Sequence, residues 1–153
     1  MASELGYRRI LVPVAANVES ERAMDVACRL AVARAGSITP VAVVEVPAVL
    51  PLDAHMTTEE GQAHQLLERH AAIADSYGVG VSPRLVRGRD AGSAILRQAE
   101  LRRSELIVIG APRRRRPGSV FGSTVEHVLK RAQCRVMFIG SAPIAVYSAH
   151  AAA

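Results

Sequence analysis

Two kinds of hydrophobic spacing take turns along this chain, and that alternation limits the folds open to it more than any single residue does. Residues 9–14 form a short apolar strand run closed by Pro13 and Asn17. Across 19–35, Ala23, Met24, Ala27, Leu30 and Ala31 fall at the i, i+3, i+4 spacing of a helix, and Gly36 is placed to end it. Strand spacing returns at 38–46, followed by a Pro-marked connection over 47–56 that is longer than usual. Thr57 and Glu60 make a capping-box pattern for a helix to residue 77, with Gly78 after it. Residues 79–86 read as a third strand weakened by Pro83, which suits a sheet edge. Asp90 then caps a helix through 101, 105–109 forms a fourth strand, Ser123 with Glu126 opens a fourth helix, and 135–139 forms a fifth strand. Five strands alternating with four helices through right-handed crossovers predict an α/β protein. Its sheet is open, doubly wound, five-stranded and parallel, with strand order 3-2-1-4-5.

Composition fits one such unit. A chain of 153 residues with 50% hydrophobic content has the length of a single domain and enough apolar mass for one core. Only 3% of residues are aromatic and none is Trp, so that core is built of Ala, Val, Ile and Leu, as in parallel sheets covered by helices. The same scarcity argues against nucleic-acid modules that stack bases on aromatic platforms. The domain is expected to occupy 1–140, leaving 141–153 as a partly mobile tail with a short apolar piece at 144–147.

Several chemistries lack their residues. Cys28 and Cys134 show no CxxC spacing and read as free thiols in a reducing cytoplasm. His55, His64, His70, His127 and His150 show no metal-ligand spacing, so no transition metal is expected. No Gly-x-Ser-x-Gly elbow or Walker A motif occurs, and Ser82, Ser93 and Ser119 have no evident His and acid partners, so the chain does not read as an enzyme. The apolar run 10–16 is short and contains Pro13, unlike a signal peptide, and no run reaches the length of a membrane span.

What remains is a loop. It leaves the fourth strand at Gly110 and Ala111, carries Arg113, Arg114, Arg115 and Arg116, and enters a helix at Gly122, Ser123 and Thr124. Loops in that position bind phosphate-bearing ligands, because free backbone N–H groups and the helix dipole both favour an anion. The net charge of +5 comes from eighteen Arg and one Lys, which supply planar bidentate donors rather than point charges. Arg87 and Arg89, after the third strand, reach the same carboxyl edge of the sheet. Each of these has a plainer reading as well. Gly110 serves as a strand-exit turn, Gly122 as room for helix packing, Ser123 as a cap, and the arginine run as a solvated loop.

At these residues the chain resembles a universal stress protein domain over residues 8–139. Members of that family carry G-x2-G-x9-G-[ST] after the fourth strand, where glycines and hydroxyls cradle the triphosphate of ATP. Gly110 matches the first glycine, and Gly122 with Ser123 the closing pair. The run Ala132-Gln-Cys134-Arg135-Val136 resembles the family's A-x-C-x-V ending. The chain departs from the ATP-binding pattern at Arg113, which replaces the second glycine, in a loop one residue shorter, and at Ala15, where relatives have an acidic residue after V-P-V. The resemblance implies a Rossmann-like domain of the adenine nucleotide α-hydrolase type that binds an adenine nucleotide, ATP or cyclic di-AMP, without catalysis. Adenine would lie near Pro13, Val14, Ala15, Val43 and Val44, with phosphates passing over Gly110 toward Gly122 and Ser123. It also implies a homodimer through the fifth strand, with 141–147 as an alternative cover for that edge, and an amino-acid or cation transporter as regulated partner.

Two other roles compete. A dimeric scaffold that binds no nucleotide would dock its arginine edge on an acidic protein surface or an anionic membrane. Nucleic-acid binding ranks last, since the arginines cluster on loops rather than along one helix.

Overall fold

The computed structural model describes residues 6–113 and 122–141. The described chain runs β1 (Arg9–Pro13), α1 (Val18–Val32), β2 (Ser37–Glu45), α2 (Thr57–Tyr77), β3 (Gly80–Val81), β4 (Arg84–Gly88), α3 (Ala91–Leu101), β5 (Leu106–Ala111), α4 (Ser123–Arg131) and β6 (Arg135–Gly140). Every strand pair is parallel, in the order β3-β2-β1-β5-β6, and β4 also pairs with β2. This is the doubly wound α/β sheet expected from the sequence, with its third strand in two pieces. Ile38 pairs with Val81 and Val41 with Arg84 in one continuous register, which sets Pro40 opposite Pro83. Neither proline has an N–H to give the ladder, so pairing lapses there and the expected strand over 79–86 becomes β3 and β4.

Successive side chains of the central strands go to opposite faces. Ile10, Val12, Ile38, Leu106 and Val108 pack with Met24, Ala27 and Cys28 of α1 and Ala74 of α2. Leu11, Val41, Ile107 and Ile109 pack on the other side with Ile95 and Ala99 of α3 and Val125 and Val128 of α4. Ala42 and Val44 meet Ala63 and Leu67 of α2 in a smaller cluster. The chain thus winds outward from β1 over one face, then crosses back to β5 and continues over the other. Its direction reverses between β1 and β5, the switch point at which such sheets leave a crevice beyond the strand carboxyl ends.

Helix ends follow the expected chemistry at three places and depart from it at three. Asn17 caps α1 by accepting the Ser20 N–H at 2.8 Å, Asp90 caps α3 by accepting the Ser93 N–H at 2.9 Å, and Gly78 closes α2 in the left-handed region at φ 68°. At the end of α1, however, Ala35 takes the left-handed position at φ 51°, and Gly36 has another duty. A Cβ on Gly36 would lie 2.8 Å from the Arg8 Cα, so the glycine admits a close backbone crossing. Thr57 does not cap α2: Met56 stands at that position and Glu60 pairs with Arg87 instead. Gly122 rather than Ser123 occupies the cap position of α4.

β1 and β5 are clasped at their amino ends by one carboxylate. Glu105 Oε1 accepts the Arg8 N–H at 2.8 Å and the Arg9 N–H at 3.0 Å, while its own N–H donates to the Arg9 carbonyl at 2.8 Å. β6 lies at the edge of the described sheet beside β5, with Phe138 43% exposed. The tail expected beyond Ser141 lies outside the described residues. No helix among the described residues is long and apolar enough to cross a membrane.

Hydrogen bonding, first from the Arg8 N–H and then from that of Arg9, holds the Glu105 carboxyl below its usual range. A depressed carboxyl adds stability that is present above its unfolded value of about 4.3 and is lost as pH falls through the folded value. Glu105→Gln is therefore expected to lower the thermal midpoint at pH 7 and to flatten its decline between about pH 5 and pH 3. An unchanged acid slope in calorimetric scans would contradict that role.

Candidate functional site

A cleft of about 190 Å³ opens at the switch point. Pro13, Val14 and Ala15 form one wall, Val41 and Val43 the next, Ile109 and Gly110 the floor, and Gly122, Thr124 and Val125 the far side. Its shape depends on two glycines for different reasons. A Cβ on Gly110 would sit 2.6 Å from both the Glu19 carbonyl carbon and the Ser20 nitrogen, so only glycine lets the first turn of α1 press against the end of β5. Gly122 is buried at φ 91°, a left-handed conformation that turns the chain into α4. The first intrahelical bond of α4 runs from the Glu126 N–H to the Gly122 carbonyl at 3.2 Å, so the N–H groups of Ser123 and Thr124 precede the helical ladder and start at the cleft wall.

The strand ends supply main-chain recognition. β1 pairing ends with Pro13 beside Val41, after which the Val14 N–H donates to the Val41 carbonyl at 2.9 Å. Along a strand, backbone groups two residues apart point to the same side. The N–H and C=O of Val43 therefore face the crevice beyond the end of β1, one donor and one acceptor set side by side. The Ala15 N–H is engaged by the Ser20 hydroxyl oxygen at 2.9 Å, which fixes the loop that forms the first wall.

The residues singled out from sequence do not all meet here. Pro13, Val14, Ala15, Val43, Gly110, Gly122 and Thr124 line the cleft together. Val44 points to the opposite face, where it packs on Ala63 and Leu67, because it is out of phase with Val43. Ala111 is buried with the α3 and α4 side of the core. Ser123 is exposed on the first turn of α4, and Arg113 is exposed at the end of the described segment. Arg114, Arg115 and Arg116 lie outside the described residues.

Arg87 and Arg89 turn away from the cleft. Arg87 Nη1 donates to the Ala54 carbonyl at 2.7 Å and its guanidinium pairs with Glu60. Arg89 Nη1 donates to the carbonyls of Val46 at 3.3 Å, Pro47 at 2.6 Å and Leu50 at 2.8 Å. Both hold the long 47–56 connection on the sheet. Their guanidinium groups are thus engaged by backbone carbonyls and by Glu60, and neither arginine lines the cleft.

Sequence reading overlooked Asn17, Ser20, Ile95 and Pro112, which also line the cleft. Asn17 carries a legible signal, a capping residue just before a helical stripe. Ser93 also needs correction: its hydroxyl lies 3.5 Å from His127 Nε2, and Asp90 is adjacent. Asp90 bonds to Ser93 rather than to His127, so the imidazole is not oriented as a general base for that serine. The Asp90 carboxyl is held below its usual range by the Ser93 N–H first and the hydroxyl second. The described residues contain no group of three or more His, Cys, Asp or Glu able to hold a metal ion. None of the described residues lining the cleft is acidic.

A wider groove of about 870 Å³ lies between the later turns of α3 and α4, edged by Arg97, Arg103 and Arg131 over Ile107 and Cys134. It opens beside Ser104 and Gln133, at the amino ends of β5 and β6, opposite the edge at which open α/β sheets bind ligands. No strand carboxyl end enters it, and the helix start that borders it at Ser93 is already capped by Asp90. The smaller cleft is the better candidate despite its size.

The described features have a consistent set of relatives. The sequence pattern of the universal stress protein family matches residues 6–140. A universal stress protein from Archaeoglobus fulgidus is similar in structure with a TM-score of 0.73 at 23% identity, over 87% of this chain and 98% of its own. The universal stress protein from Archaeoglobus fulgidus in complex with dAMP gives 0.71 at 21% identity, over 87% and 98%. A family member from Arabidopsis thaliana with AMP bound gives 0.66 at 21% identity, over 90% and 94%. No curated protein matches the chain by sequence.

Gly110→Ala is expected to force α1 away from β5 and to destabilise the fold by about 1–3 kcal/mol, the usual range for overpacking. A denaturant midpoint equal to that of the parent chain would show that α1 can move aside freely.

Proposed function

The chain belongs to the universal stress protein family, and we propose that within it this protein is a non-catalytic regulator that binds an adenine nucleotide at the switch-point cleft. The observation that carries this reading is the pairing of two features across one cleft. On one side stands the Val43 main-chain edge, which no described strand pairs beyond the end of β1; on the other, the left-handed Gly122 opens the first turn of α4 into the same space. An adenine ring presents a donor next to an acceptor, which complements the Val43 N–H and C=O. Pro13, Val41, Val43 and Ile109 give the apolar surfaces that its faces require.

At about 190 Å³ the cleft is smaller than the roughly 300–1,000 Å³ of sites that enclose a drug-sized ligand. It takes the base and part of the sugar. Phosphates then extend past Gly110 to the first turn of α4, where the N–H groups of Ser123 and Thr124, the Thr124 hydroxyl and Arg113 supply donors. With no acidic side chain among the described lining residues, magnesium would be held by phosphate and water rather than by a carboxylate, so binding should not require it. Support from relatives is chemical: structurally similar proteins have been solved with dAMP, AMP and cAMP. Their identities of 18% to 21% carry the fold and leave the ligand to be tested here.

The regulatory output is a change of contacts. We place a homodimer at β6, whose position at the sheet edge and exposed Phe138 favour pairing with a second copy. The protein that reads the nucleotide state, a transporter on this reading, would bind one nucleotide state more tightly than the other.

Calorimetric titration of nucleotide-free protein with ATP, AMP and cyclic di-AMP, each with and without magnesium, tests the proposal. At least one should bind at micromolar concentration without magnesium, and Gly122→Val should weaken it by about tenfold or more, equivalent to about 1.4 kcal/mol. No heat from any of the three would overturn the nucleotide reading and favour the scaffold.

A further inference from the structure

Among the described residues, His70 is a titratable side chain deep in the fold, 1% exposed in the middle of α2. Its hydrogen bonds define its state. Nδ1 lies 2.8 Å from the Leu66 carbonyl oxygen, which can only accept, so Nδ1 carries a proton. Nε2 lies 2.8 Å from Ser20 Oγ. In the neutral ring Nε2 is then an acceptor, and the Ser20 hydroxyl donates to it. The same oxygen accepts the Ala15 N–H at 2.9 Å. One unbroken chain of hydrogen bonds therefore runs from the β1–α1 loop through Ser20 of α1 to His70 of α2.

We propose that His70 is a positioning residue for the nucleotide cleft: through Ser20 it holds Ala15, and with it the first wall of the site, in the shape that receives the base. The inference rests on the nucleotide reading above, but the linkage to Ala15 can be measured without any ligand. Ala15 is itself exposed and would otherwise be held only by its neighbours in a short loop, whereas Ser20 is 2% exposed and His70 less. The wall is thus anchored in the core from a helix that contributes nothing to the cleft lining.

Protonation of the ring would disturb this arrangement. Nε2 would become a donor, so Ser20 Oγ would have to accept from two N–H groups and send its own hydrogen to a new acceptor in a buried place. A charge would also be buried. Burial, ahead of every other influence, holds the His70 pKa below its usual value. The charged groups acting on the ring are Glu21 of α1 and Arg69 of α2, which pair with each other at 3.4 Å and pull in opposite directions. The loop offers only Ala15 and Asn17, and β2 offers apolar Ala42 and Val44 to α2. Since the neutral form is the bonded one, cleft order is expected to be full above about pH 6.5 and to fall at lower pH, as the ring is protonated in the folded state.

The test compares the parent chain with His70→Gln, which keeps an uncharged acceptor near Nε2, and with His70→Leu, which has none. Amide hydrogen exchange at Ala15 and AMP affinity are followed from pH 7.5 to pH 5. The expected result is loss of Ala15 protection and an AMP affinity about tenfold weaker in His70→Leu, as for any site whose competent shape is populated about a tenth of the time. His70→Gln should keep both at pH 7.5 and lose the acid decline that the parent shows. Equal Ala15 protection in the parent and His70→Leu would overturn the linkage. A decline in Ala15 protection toward pH 5 as steep in His70→Gln as in the parent would overturn the assignment to His70; titration of the AMP phosphate acts on both proteins alike and does not enter that comparison. If AMP fails to bind the parent at any pH while Ala15 protection still follows His70, the nucleotide reading falls and with it the role of the linkage in binding.

Discussion

The backbone contact between the end of β5 and the first turn of α1 decides most of what lies above it. Gly110 has no Cβ, and the space a Cβ would need is occupied by Glu19 and Ser20 backbone atoms. Because the two segments touch, α1 begins directly over the switch point, and its capping residue Asn17 and its buried Ser20 both border the cleft. Nearby, Glu19 Oε1 accepts the Ser141 hydroxyl at 2.6 Å, so the same turn also ties down the chain where it leaves β6. This hydrogen bond is the first cause holding the Glu19 carboxyl below its usual range.

Positive charge in this protein divides into two kinds of work. Arg87 and Arg89 are bonded to backbone carbonyls of the 47–56 connection, a long segment with few apolar anchors of its own. Val49 in that segment is 90% exposed, so guanidinium bonds rather than core packing keep it in place. On the proposed reading, anion recognition falls to the α4 side of the cleft, where Thr124 and the start of the helix border the same space as Gly110. An arginine bonded to several carbonyls and one waiting for a phosphate look alike in a sequence, since both sit in loops near glycine.

The pair α3 and α4 separates two spaces of different character. They meet where the His127 ring lies over Gly92, whose Cβ would fall 2.7 Å from His127 Cδ2. Ala91 and Ile95 of α3 and Thr124 and Val125 of α4 border the small cleft. Other residues of the same two helices, Leu96 and Arg97 of α3 and His127 and Arg131 of α4, frame the wide groove that ends at Gln133 and Cys134. Burial raises the Cys134 thiol, and it raises Cys28 further, to about 11, so neither sulfur is a ready nucleophile near neutral pH.

The order of elements, the parallel sheet and the presence of a crevice at the β1 and β5 ends were all legible in the sequence. Each follows from local periodicity and from the handedness of crossovers, which act over a few residues at a time. The clustering of Pro13, Ala15, Val43, Gly110 and Gly122 was likewise anticipated, because strand ends in a doubly wound sheet converge whatever the side chains are. Tertiary structure decided the rest. Only the register shows that Pro40 faces Pro83 and splits a strand, only the pleat sends Val44 away from Val43, and only the folded loop occupies Arg87 and Arg89. The same is true of Ser20 and His70, fifty positions apart in the chain and 2.8 Å apart in space. A hydrogen bond between two distant helices leaves no spacing for a sequence to display; it exists because α1 and α2 pack on the same face of the sheet.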